Sequence, residues 1–130
     1  MFKAQDKQFD FESPDHINPG LLETFDYEHA GKDIAIDTIT EEFTSVCPYS
    51  GLPDFGTLKI RYVPDKKIIE LRSLKYYLMT YRNVGIFYEH LANRILEDLA
   101  RACSPKTMTV TIDFTPRGGL RTTVTAQHPR

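Results

Sequence analysis

Tryptophan is missing from this 130-residue chain, and cysteine nearly so: Cys47 and Cys103 are its only two. Two cysteines so far apart make neither a metal clip nor a disulfide-stapled scaffold. No apolar run approaches the roughly 20 residues of a membrane span, and the opening MFKAQDKQFDFESPD has no signal-peptide core. Together these absences predict a cytoplasmic protein. Histidine is sparse as well. His16, His29, His90 and His128 are scattered, with no HxH, HExxH or CxxC spacing, so no metal site is expected. No GxGxxG or GxxxxGK[ST] loop is present to cradle a nucleotide, and no GxSxG elbow proposes a serine nucleophile. A net charge of −2 leaves no basic footprint for nonspecific nucleic-acid binding. The expected ligand is therefore a free small molecule.

What is present suits one globular domain: 41% hydrophobic and 26% charged residues in a chain able to bury roughly two-thirds of its surface. Residues 1–32, with Pro14, Pro19, Gly20 and Gly31, show no sustained period and read as an arm with at most one short helical turn. The body, 33–130, opens on a β-branched strand, Asp33–Val46, and a second at Thr57–Val63, where Leu58, Ile60 and Tyr62 share one face. Leu74, Tyr77, Leu78 and Tyr81 recur at helical spacing behind Ser73 as a possible N-cap. The pattern resumes with Phe87, Leu91, Ile95 and Leu99, predicting a second helix that ends before Ser104-Pro105. Alternation in Met108–Phe114 and Leu120–Gln127, around the turn PRGG, predicts a closing hairpin. The order β-β-α-α-β-β implies an α+β fold: an antiparallel sheet with two helices on one face. Its unpaired edges point to self-association.

The chemistry concentrates in VCPYSGLPDFG, residues 46–56, which holds Cys47 and Asp54. A thiol becomes a nucleophile once its proton is lost, and a nearby carboxyl can protonate the atom that turns negative under attack. Each also has a plainer reading. Free cysteine is by default a small buried residue, and Pro-Asp before an aromatic is a common turn. Cys103, on the apolar face of the last helical turn, is read as packing only.

FTSVCPYSGLPDFG, followed by ELRSLKYYLMTYRN and then GIFYEH, closely resembles the NADPH-dependent 7-cyano-7-deazaguanine reductases. These are nitrile reductases of queuosine biosynthesis, which serves tRNA modification. The similarity runs in order from about Asp33 to Ala126 and includes the TPRGGL turn. It implies the tunnelling fold, whose subunits join into a barrel with active sites between them, and for a short chain a pentamer-based homo-oligomer, a decamer. It implies Cys47 as the nucleophile that forms a covalent thioimide with the nitrile, and Asp54 as its proton donor. Glu89 and Tyr88, with Ile69, Glu70 and Leu71, match the substrate-binding segments, and Arg72, Ser73, Leu74 and Lys75 the block associated with NADPH.

Two departures limit the transfer. Arg72 stands where the family often has lysine, and Tyr88 where some members have histidine. A phenol titrates near about 10 and cannot inherit a histidine proton role, so Tyr88 carries over as a substrate contact only. Packing beside Phe87 is its plainer reading. Glu89 could equally be a solvated helix residue, and Glu70 an acid favoured by a helix N-terminus. The rivals are a related thioimide-forming amidinotransferase acting on tRNA, a pterin- or GTP-processing member of the same fold, and a non-catalytic purine-binding oligomeric module.

Overall fold

A computed structural model describes residues 9–130. Ahead of the body, Pro14–His16 and Pro19–Leu21 each form a 3-10 turn, both opened by the fixed φ of proline. The strands are β1 (Thr24–Asp26), β2 (Ile36–Val46), β3 (Pro53–Val63), β4 (Lys67–Ile69), β5 (Thr107–Phe114) and β6 (Thr123–His128). The helices are α1 (Leu71–Met79) and α2 (Tyr88–Cys103), both between β4 and β5. β1 pairs with β4 in a small sheet, and β2-β3-β5-β6 form the main one. Every strand pairing is antiparallel.

The arm is more ordered than its composition suggests. Two turns and β1 replace the single expected turn, because β1 finds its partner in β4, forty residues away, which no local period announces. Residues 1–8 of the expected arm lie outside the described residues.

Strand periodicity explains the core. Gly56, Leu58, Ile60 and Tyr62 of β3 and Met108, Val110, Ile112 and Phe114 of β5 point toward the helices and are buried, while Lys59 and Arg61 point away into solvent. On α2, Leu91, Ala92, Ile95, Leu96, Leu99 and Cys103 make the stripe that meets this face. Burial pushes the Cys103 thiol up to about 11, in keeping with a packing role.

On β2 the phase changes. Thr40 pairs with Leu58 but Phe43 pairs with Gly56, so one extra residue is inserted at Glu41-Glu42. Ile36, Thr38 and Thr40 share the core-facing side before this bulge; Phe43 and Ser45 take it afterwards. The bulge thus reverses which residues of the strand look inward just before Cys47.

Candidate active site

Cys47 directly follows β2, at the head of the turn Pro48–Ser50. Its carbonyl accepts from the Gly51 N–H at 2.9 Å, and its own N–H donates to Leu52 O at 2.9 Å. Gly51 takes φ +72°, in the left-handed region, and a Cβ there would strike the Phe9 backbone, so only glycine closes this turn. The turn folds the Tyr49 and Ser50 N–H groups back toward the sulfur. Burial is the largest single influence and raises the thiol pKa, but donation from the Ser50 and Tyr49 amides and the Ser50 hydroxyl outweighs it, despite the nearby Asp54 charge. The net shift is downward. This partly exposed thiol is biased toward thiolate.

Asp54 sits on a strand, not in the loop as the turn reading of Pro-Asp had it. β3 begins at Pro53, four residues before the expected Thr57, with proline at the first position, where no ladder N–H is lost. Asp54 therefore continues the inward row Gly56, Leu58, Ile60 and is 5% exposed: a carboxylate at the end of an apolar file. Its Oδ1 accepts from the Tyr88 hydroxyl at 3.1 Å and pairs with Arg117. Arg117 also donates to Pro53 O at 3.2 Å. It stands at the head of the tight turn Arg117–Leu120, where Gly118 and Gly119 both adopt positive φ. Sequence reasoning quoted that turn but gave Arg117 no task; no local pattern links it to a residue sixty positions earlier.

Tyr88 opens α2, stacks on Phe114 with ring centres 3.6 Å apart, and reaches Asp54 from there. Burial first, then the Asp54 charge and hydrogen bond, push its pKa up, so it stays a neutral donor. The expected packing with Phe87 does not occur, since Phe87 is exposed and meets Tyr49 instead. Glu89 lies exposed in the first turn of α2. Gly85 precedes the helix, and Ala92 and Leu96 turn inward, away from Glu89.

The segment 69–75 divides. Ile69 is buried, with its N–H given to the Tyr62 hydroxyl at 3.1 Å, so its side chain serves the core. Glu70, not Ser73, is the N-cap of α1: its carboxylate accepts from Ser73 N–H at 2.6 Å, which holds its pKa low. The Ser73 hydroxyl is committed inside, donating to Glu70 O at 2.7 Å and accepting from Glu23 N–H at 2.9 Å. Leu71 and Arg72 are exposed. Leu74 and Lys75 face a groove of about 340 Å³ between α1 and the β2–β3 end of the sheet. Phe43, Leu58 and Ile60 floor it, and Lys75 and Arg82 bring cations to it, opposed by Glu42. An apolar floor with two cations suits part of a phosphate-bearing nucleotide such as NADPH. Thr44, three residues before Cys47, belongs to the same groove.

The family pattern of QueF-like proteins matches residues 53–130. The NADPH-dependent 7-cyano-7-deazaguanine reductase of Chlorobaculum tepidum is 52% identical over 114 residues, covering 88% of this chain and 97% of that one. The enzyme of the same name from Caldicellulosiruptor bescii is 48% identical over 98% of both chains. Among solved structures, the apo archaeosine synthase QueF-Like superimposes with a TM-score of 0.64 at 26% identity, over 75% of this chain and 94% of that one. The matched pattern and the extent of these identities establish that the chain belongs to the family of QueF-like proteins.

Proposed function

We infer that this chain is an oxidoreductase that uses NADPH to reduce the nitrile of 7-cyano-7-deazaguanine to the primary amine 7-aminomethyl-7-deazaguanine, on the route to queuosine. Relatives carrying that enzyme name share about half of their residues with it over nearly their whole length. One observation carries the residue-level reading: a buried acid, Asp54, beside a turn that favours the Cys47 thiolate.

Asp54 takes the Cys47 proton before attack; the thiolate then adds to the nitrile carbon as Asp54 gives that proton to the nitrile nitrogen, leaving a neutral thioimide and an Asp54 carboxylate with atoms and charge in balance. Asp54 Oδ2, which accepts no hydrogen bond among the described residues, is the oxygen available for that proton. Tyr88 and Arg117 hold Oδ1 and so fix the rotation of the carboxyl. Glu89, exposed beside Tyr88, accepts the paired N–H groups of the guanine-like edge, with Glu70 and the chain at Ile69 and Leu71 framing the base. Lys75 and Arg82, which line the groove, bind the phosphates of NADPH together with Arg72, one turn before Lys75 on α1, while Ser73 and Leu74 shape the start of that helix. Bound NADPH supplies hydride, about two equivalents for the four-electron change.

The edge strands β2 and β6 leave ladder groups unpaired among the described residues, which supports barrel closure by neighbouring copies into a pentamer-based decamer with sites between subunits. Light scattering then reads multiples of five of the 15.0 kDa chain, and a monomer at working concentration overturns the assembly.

The deciding experiment mixes the protein with the nitrile alone and weighs it intact. The expected adduct forms in wild type and not in Cys47→Ala; NADPH is then oxidised at about two per nitrile consumed. An adduct that ammonia resolves but NADPH does not would make the chain an amidinotransferase. No adduct at all removes the covalent mechanism.

A further inference from the structure

Ser45 is the buried polar side chain to which the reaction scheme gives no task. It is fully covered, and its Oγ is, among the described residues, the only buried side-chain polar atom without a hydrogen-bond partner. An unpaired hydroxyl in an apolar setting costs stability, and such exceptions need a reason. Three features of its position supply one. Ser45 is directly opposite Asp54 in the β2–β3 register, so both side chains leave the sheet on the same face, with Cβ atoms about 5 Å apart. It owes that face to the bulge at Glu41-Glu42. It also lies two residues before Cys47, on the strand that delivers the nucleophile. Asp54 meanwhile accepts from Tyr88 and pairs with Arg117 on Oδ1, and no hydrogen bond among the described residues reaches Oδ2.

We propose that Ser45 is a positioning residue for the proton transfer, and that its hydroxyl donates to Asp54 Oδ2 as that oxygen becomes anionic. This rests on the assignment of Asp54 as the acid. When sulfur attacks the nitrile carbon, the proton on Oδ2 moves to the nitrile nitrogen and the C–S bond forms. Negative charge stays on Oδ2, and Ser45 turns its own hydrogen toward it without giving that proton up. A donor unpaired in the ground state and paired as charge develops stabilises the transition state selectively, where a hydrogen bond present throughout would not.

Ser45→Ala tests this by single-turnover adduct formation, followed by absorbance with excess nitrile. The maximal rate is expected to fall by about tenfold or more, the nitrile concentration giving half that rate to stay the same, and Tm to hold or rise, because no ground-state hydrogen bond is lost. A wild-type rate in Ser45→Ala overturns the proposal. So does a slower rate that comes with weaker nitrile binding and a lower Tm, the signature of a merely structural residue. If wild type itself forms no adduct, the covalent reading of Cys47 and Asp54 fails instead, and the two failures are distinguishable.

Discussion

Cys47 and Cys103 carry the same atom to opposite ends of reactivity. The turn amides bring the Cys47 pKa down, whereas the core pushes that of Cys103 up to about 11. A lowered pKa means more thiolate at neutral pH, so iodoacetamide at pH 7.5 is expected to label Cys47 and spare Cys103 in the native protein, checked by peptide mass mapping. Equal labelling would contradict both assignments. Tyr88 touches the acid rather than acting as one. Tyr88→Phe keeps the stack on Phe114 and deletes one donor to Asp54, so nitrile turnover is expected to fall by about tenfold with Tm nearly unchanged. Asp54→Asn retains the shape but cannot pass a proton. Its adduct formation is expected to drop by about 100-fold or more, and a normal rate would remove the acid role.

At the scale of elements, the helices are joined by a buried polar link that periodicity cannot show. The hydroxyls of Tyr77 and Tyr81 lie 2.6 Å apart, Tyr77 donates to Asp98 at 2.6 Å, and Arg94 Nε reaches the same carboxyl oxygen at 2.8 Å. Burial above all pushes both tyrosine pKa values well up, so both remain hydroxyls. The spacing of Tyr77 and Tyr81 reads correctly as a core stripe. That Asp98 sits under it does not, because an Asp within ILEDLARAC looks like a solvated residue until α2 is placed against α1. Asp98→Ala leaves the covered Tyr77 hydroxyl and the half-exposed Arg94 without their shared acceptor and is expected to cost about 1–3 kcal/mol, read from chemical denaturation. The cap of α1 teaches the same lesson. Serine is the commoner cap, yet Ser73 is held from outside by Glu23, and the helix starts at Leu71 behind Glu70.

Across the whole molecule, the arm straps the reactive turn to the body. Phe9 N–H donates to Ser50 O at 3.1 Å, Glu12 N–H to Asn83 O at 2.7 Å, and Gly85 N–H to Glu12 O at 2.9 Å. Truncation before Ser13 removes these three bonds, expected to cost about 1–3 kcal/mol. Hydrogen exchange at Gly85, whose amide loses its acceptor, should quicken most, while amides of β5, deep in the sheet, hold. Uniform loosening instead would show the arm to be part of the global core.

Local order left its mark along the chain. The two long helices, β5, most of β3 and the apolar row of α2 follow from period and propensity, because each repeats a rule every two or about 3.6 residues. The Cys47 and Asp54 pair was legible as residue types in one loop, and the family similarity gave those types a task. Tertiary structure alone decided the rest: the β1–β4 pairing, the bulge that turns Ser45 inward, Asp54 on a strand, and Arg117 and Tyr88 converging on its carboxyl. Those features join residues from about ten to more than sixty positions apart. A one-residue slip in strand register reverses every side chain after it, and no local pattern records where such a slip occurs.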